Sequence, residues 1–196
     1  YPFAESGLRC LRDLLRQRKV ASWLETGRPD EFYPKWIYPG MMAAATVEGM
    51  TTLARHTTDA REKDAALLVA RRAAQFLMDL REPAGAPLAG WPRTYWDGAK
   101  ADIHPGFHDQ IMSPGPAEAA RAYLDLYDLT REAAYLDFAT GVADTLVRTQ
   151  LANGTWHLWL ERATGRAKEP NLVVPLAALR LFNRLISQYG LSKYEP

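Results

Sequence analysis

The sequence lacks most of the features that would declare a chemistry at once. Cys10 is its single cysteine, so neither a disulfide within the chain nor a thiolate metal cluster can form; helical spacing makes that thiol a buried one. Lys and Arg number 24 against 23 Asp and Glu, a net charge of +1, so electrostatics gives no reason to expect a nucleic acid or a membrane surface as partner. No apolar run approaches the roughly 20 residues needed to span a bilayer. A Walker loop, a dinucleotide-binding glycine fingerprint, a His-Glu-x-x-His helix and a Gly-x-Ser-x-Gly elbow are all missing, which removes most nucleotide, zinc-protease and α/β-hydrolase readings. No cofactor and no metal are expected. The chain begins at Tyr1 rather than Met, as a processed protein, a cloned domain or a fragment would, and its compartment stays open.

What is there is helix. Hydrophobic residues make up 47% and charged residues 24%, a composition that folds around a core, and 196 residues suit one domain spanning 1–196. Leu8, Leu11, Leu14 and Leu15 share one helical face, predicting a first amphipathic helix over residues 4–24. An aromatic stretch with two prolines follows, Phe32 to Gly40. Residues 41–56 form a second helix, apolar nearly all round with Glu48 its one carboxylate, and therefore buried on most sides. Residues 60–80, with a cap in Thr58-Asp59, form a third helix with a wet, basic face. The alternation then recurs: a buried helix over 117–129 opened by Pro116, then a solvated one from Thr130 to near Gln150. Leu67, Ala74 and Leu77 match Leu136, Ala143 and Leu146 at an offset of about seventy residues, the mark of repeated helical hairpins. Residues 157–168 alternate and turn at Thr164-Gly165, which predicts a short β-hairpin. A sixth helix over 174–189 is capped by Gly190, and the tail after it reads as the start of another outer helix, so the chain looks cut.

Each outer helix is followed by a Gly-Trp loop: Leu88-Ala-Gly-Trp-Pro-Arg-Thr-Tyr-Trp96 and Gln150-Leu-Ala-Asn-Gly-Thr-Trp-His-Leu-Trp159. Buried and solvated helices alternating with such loops resemble the α/α toroids, in which inner and outer helices form concentric rings. Gln150 to Trp156 fits the Gln-x-x-x-Gly-x-Trp loop of triterpene cyclases, but the acidic Asp-x-Asp-Asp motif of those enzymes is absent. Gly90-Trp-Pro-Arg-Thr-Tyr95 is similar to the Gly-Gly-Trp-Pro-x-x-Tyr loop of helical pectate lyases, and the layout from Trp156 to Asn171 is similar to further loops of such enzymes. A more distant likeness is to unsaturated glucuronyl hydrolases. The implied fold is all-α: a partial α/α toroid of about three helical hairpins with one short β-hairpin insertion, a piece of a larger ring. Its missing half would be supplied by more chain or by self-association.

The resemblance places the functional face at the N-terminal ends of the inner helices, where unpaired N–H groups and the helix dipole suit anionic groups. Three segments enter such helices: residues 33–38, 104–113 and 169–171. The second is the richest, since Asp102, His104, His108 and Asp109 crowd into one Pro-Gly loop. His108 or Asp109 could serve as general acid or base, or merely cap the next helix. Arg93 and Arg162 each follow a tryptophan loop and could clamp a uronic carboxylate in bidentate fashion, or be ordinary surface arginines. In the lyases an arginine removes the proton α to the carboxylate; no position here matches it. Glu48 inside an apolar helix is expected to point into the central cavity, with its pKa raised by desolvation.

Tryptophan and tyrosine faces suit the C–H side of pyranose rings. Trp36, Tyr38, Tyr95, Trp96 and Trp159, with Glu169 and Asn171, are the candidate saccharide contacts; Trp91 and Trp156, at matching repeat positions, read as locks of loops onto helices. The expected function is a glycan-active enzyme, a polysaccharide lyase or glycosidase acting on an acidic polysaccharide or oligosaccharide. The alternatives are a non-catalytic carbohydrate-binding or scaffold fragment and, more remotely, an isoprenoid cyclase-like protein.

Overall fold

The computed structural model describes residues 2–28, 39–95, 108–173 and 176–195. Seven α-helices run through them: α1 (Pro2–Arg16), α2 (Arg18–Thr26), α3 (Pro39–His56), α4 (Ala60–Asp79), α5 (Pro114–Thr130), α6 (Ala133–Thr149) and α7 (Leu176–Tyr189). The expected first helix is two. Gln17 adopts an extended conformation (φ −70, ψ 143) and breaks it, and α2 then runs against α4 while α1 lies on α3. Cys10 is exposed on α1 rather than buried. Arg12 Nε reaches Glu62 at 3.1 Å from α1 to α4, and Arg72 Nη1 donates to the carbonyls of Trp23, at 2.9 Å, and Leu24 in the last turn of α2.

α3 packs on α4 and on α5, and α5 in turn on α6 and α7, so α3, α5 and α7 form the inner series and α4 and α6 the outer one. Small side chains make this close packing possible. Ala43, Ala44 and Ala54 of α3 are buried, with Ala66, Ala70, Ala73 and Ala74 of α4 and Ala117, Ala119, Ala120 and Ala122 of α5. Tyr123 fills the middle, stacked on Phe138 with centroids 3.9 Å apart and edge-on to Tyr135, its hydroxyl donating to the Ala74 carbonyl. Burial pushes that phenol's pKa well up. The caps read from sequence hold in two places. Asp59 Oδ1 accepts from the N–H groups of Arg61 and Glu62 at 2.8 and 3.2 Å, and Gly190 ends α7 at φ 67. α5 begins one proline earlier than expected, at Pro114, since two prolines fit its unbonded first turn. This is the partial α/α toroid, built of helical hairpins.

The β insertion after Trp156 is present, and its pairing reaches wider than a local hairpin. β1 (Gln110–Met112) pairs antiparallel with β3 (Trp159–Glu161), and β2 (Trp156–His157) with β4 (Leu172–Val173). The 156–161 segment is therefore a middle strand, bonded on one edge to the approach to α5 and on the other to the approach to α7. The Thr164-Gly165 turn does close, with Gly165 N–H on the Glu161 carbonyl at 2.8 Å. The tail after α7 makes a 3-10 turn at Ser192–Tyr194, and Tyr194 docks on α6 through Asp144 at 2.8 Å. Among the described residues no helix is long and apolar enough to cross a membrane.

Candidate functional site

The loops that precede the inner helices meet through a relay of hydrogen bonds. The N–H of Gly40, at the start of α3, donates to the Thr94 carbonyl at 3.3 Å, and Thr94 Oγ1 accepts from the N–H of Met112 at 2.9 Å. Ser113, at the start of α5, donates its N–H to the Leu158 carbonyl and its Oγ to the His157 carbonyl, at 3.0 and 2.8 Å. Leu158 N–H closes the relay on the Asn171 carbonyl at 2.7 Å, just before α7. The first turn of α3 and the approaches to α5 and α7 thus lie side by side at one end of the inner helices. Gly40 is needed there, because a Cβ on it would stand 2.6 Å from the Arg93 carbonyl oxygen.

Glu82 is the hub of this end. It is 7% exposed, and its Oε1 accepts from Arg93 Nε at 3.1 Å and Arg162 Nε at 2.6 Å. Its backbone joins the same knot: Glu82 N–H donates to the Trp91 carbonyl and Gly90 N–H to the Glu82 carbonyl, while Arg162 N–H donates to the Asp109 carbonyl at 2.8 Å. Arg162 Nη1 also reaches the His108 carbonyl at 3.5 Å. Three loops, around residues 82, 109 and 162, are therefore held by one carboxylate between two guanidiniums, a charge-assisted arrangement in partial desolvation. Sequence reasoning missed Glu82. Its signal was that it is the only carboxylate across residues 80–95, the loop that carries Arg93.

The two arginines come together as no spacing argument foresaw, each with its Nε on the Glu82 carboxylate. His108 is half-buried with its ring 6.0 Å from that of Tyr95, and Asp109 is exposed. Neither caps α5, whose N-cap is Ser113. Asp109 lines a pocket of about 540 Å³ with Glu82, Pro87, Glu161, Arg162 and Lys168.

Other expected positions are corrected. Tyr95 is 5% exposed and so part of the packing under the loops, where no sugar ring can lie on its face. Glu48 is exposed, on the α3 face it shares with Ala45 and Arg55, so the burial expected to desolvate it is not found among the described residues. It also lies nine residues into α3, roughly 14 Å from the loop end. Trp159 is half-buried in β3 opposite Met112. Glu169 and Asn171 are exposed and bonded to each other at 2.9 Å, across the middle strand from Asp109. Trp36, Tyr38 and Trp96 lie outside the described residues, as do Asp102 and His104. Among the described residues no three His, Cys, Asp or Glu side chains gather closely enough to hold a metal ion.

The expectation for Trp91 and Trp156 holds. Both are fully buried, and their indole N–H groups donate to the carbonyls of Val142 at 3.2 Å and Leu146 at 2.9 Å. They fasten the loops to α6.

No protein-family model matches the sequence, and no curated protein sequence does. Among solved structures the chain is similar to cellobiose 2-epimerase from Spirochaeta thermophila DSM 6192, with a TM-score of 0.62 and 17% identity, over 98% of this chain and 51% of that one. The chain spans about half the length of that protein. A likeness at this identity is one of fold: it supports the α/α-toroid class and does not single out pectate lyases or glucuronyl hydrolases within it.

Proposed function

We propose that this chain is part of a saccharide-processing α/α toroid whose ligand sits at the loop end of α3, α5 and α7. The observation that supports it is the placement of His108: a half-buried imidazole beside Tyr95, with its own backbone tied to Arg162 and so to Glu82. A base held that way meets the first demand of proton abstraction, which is position. The similar protein is by name a 2-epimerase of a disaccharide, and C2 of a reducing sugar lies next to a carbonyl. Elimination from a uronate also begins with loss of the proton next to a carbonyl group. His108 takes that C–H proton in either case and leaves an enediolate. Return of the proton to the opposite face gives an epimer; expulsion of the glycosidic oxygen on the carbon β to the carboxylate, which takes up a proton as it leaves, gives an unsaturated product. A lyase acting on an acidic polysaccharide or oligosaccharide is the form we favour over a glycosidase. Proton abstraction by a positioned His108 serves a lyase directly, whereas a glycosidase needs two carboxylates flanking one bond at about 5 to 9.5 Å, and Glu48 lies nine residues into α3.

Two assays test this. The protein is incubated with polygalacturonate, recording the absorbance of unsaturated product, and with cellobiose in D2O, following loss of the C2 proton signal by NMR. Activity in either assay that His108→Gln removes supports the proposal. Saccharide binding without turnover, abolished by Trp96→Ala, would assign the chain to the non-catalytic binding class instead, and neither binding nor turnover would end the saccharide reading.

A further inference from the structure

A second hollow, of about 640 Å³, opens beyond the end of α6, between its last turn and the loop from Gly165 to Pro170. Its wall carries Arg148, Arg166 and Lys168 against one carboxylate, Glu169. Cations at a helix C-terminus have an ordinary use, offsetting the partial negative charge of the last carbonyls. That charge is only about half a unit, so with Glu169 and the Glu161 partner of Lys168 counted an excess of roughly half a positive charge remains. The cations are also poorly engaged. Arg166 is exposed and its side chain makes no hydrogen bond or ion pair among the described residues, Lys168 meets Glu161 only at 3.5 Å, and Arg148 donates to the neutral Thr145 hydroxyl at 2.7 Å. His157 lines the hollow too. Its Nδ1 is sealed from solvent with no partner among the described residues, so a ligand in the hollow meets the ring through Nε2.

We infer that this hollow is a subsite for one uronic acid unit of an acidic saccharide. It lies within the range of small-molecule pockets, roughly 300 to 1,000 Å³. Leu151 and Pro170 offer an apolar wall to the C–H face of the ring, His157 and Gln150 meet hydroxyls, and Arg166 with Lys168 takes the carboxylate. Lys168 lines this hollow and also the one beside Asp109, so consecutive units of one oligosaccharide can occupy both. This subsite, unlike the guanidiniums held by Glu82, has in Arg166 a cation to spare. It rests on the acidic-saccharide reading above and adds the place where a uronate is held.

The test compares trigalacturonate, cellotriose and inorganic phosphate by calorimetry and by NMR of the histidine side chains. Trigalacturonate is expected to bind about tenfold or more tightly than cellotriose, as one charge-assisted contact allows. Its binding should shift the His157 resonances and fall by a similar factor in an Arg166→Gln, Lys168→Gln double variant. Both side chains are exposed, and an unchanged melting temperature verifies that the variant folds. Equal affinity for the two trisaccharides, or a uronate affinity that the double variant leaves intact, overturns the inference while the saccharide proposal stands. Phosphate binding here without trigalacturonate binding overturns it in favour of a simple anion site. Binding of none of the three removes the inference and the saccharide proposal together.

Discussion

Trp91 and Trp156 follow successive outer helices at matching places, yet both donate their indole N–H to the same helix, α6, at carbonyls four residues apart. Trp156 folds back onto the helix that precedes it. Trp91 reaches forward onto the next one. Equivalent loops therefore do different work: one closes a hairpin and the other joins two hairpins.

Removing either ring should be costly, but in distinguishable ways. Trp156→Ala and Trp91→Ala each leave a cavity in a fully buried site and should lose about 3–5 kcal/mol in urea unfolding. Trp→Phe at either position keeps most of the volume and forfeits the hydrogen bond, for about 1–3 kcal/mol. Trp91→Phe should in addition speed amide exchange in residues 80–93, whereas Trp156→Phe should leave that loop unchanged.

Gly90 stands at φ 84, and a Cβ there would meet the Gly141 carbonyl oxygen at 3.2 Å. Gly90→Ala is thus strained in backbone and in space, and should destabilise by about 1–3 kcal/mol. Gly154→Ala has a comparable φ of 80 with nothing within 4 Å, and should cost less. Thermal melts of the two variants side by side separate backbone strain from the crowded contact.

Much of this was legible in the sequence. Helix identity, the inner and outer alternation, the Asp59 and Gly190 caps and the clamping tryptophans all follow from local periodicity and composition, which act within a few residues. The site was less legible because its organising bonds join distant segments. Arg93 and Arg162 were singled out for a ligand carboxylate, when the carboxylate they hold is Glu82, 11 and 80 residues away. Glu48 misled because an apolar helix can still turn one face to solvent. Gln17 gave no break signal at all, since neither Pro nor Gly marks it and α2 changes direction to meet α4.

Glu82→Gln tests the knot. It keeps the size and removes the charge that two guanidiniums share, and should lose about 2–3 kcal/mol, less than a fully buried pair because both arginines are partly exposed. The alternative that the loops are held by packing alone predicts an unchanged melting temperature.

The pH profile has two expected edges. Burial pushes the Asp128 carboxyl up, but hydrogen bonds from Tyr189 and Arg184 and the charge of Arg184 outweigh it and hold the pKa below the usual carboxylate value. That stability is present above the unfolded value of about 3.9 and fades as pH falls through the lower folded value. Asp128→Asn should flatten this acid edge. At the other end Tyr135, Tyr189 and Tyr194 are each pushed up to about 12, chiefly by burial. Their contribution is full below about pH 10 and is lost as pH rises towards 12. A phenolate absorbance titration should show these three ionising together with the loss of helical circular dichroism.

The middle strand bears on how the loop end moves. Because residues 156–161 are bonded on both edges, the approach to α5 cannot shift without dragging the approach to α7, and Thr94 adds that to α3. Amides at 40, 112, 113 and 158 should then open to deuterium as one cooperative block, at a common rate, rather than fraying singly as loop amides do. A ligand that touched any one of the three approaches would slow exchange at all of them.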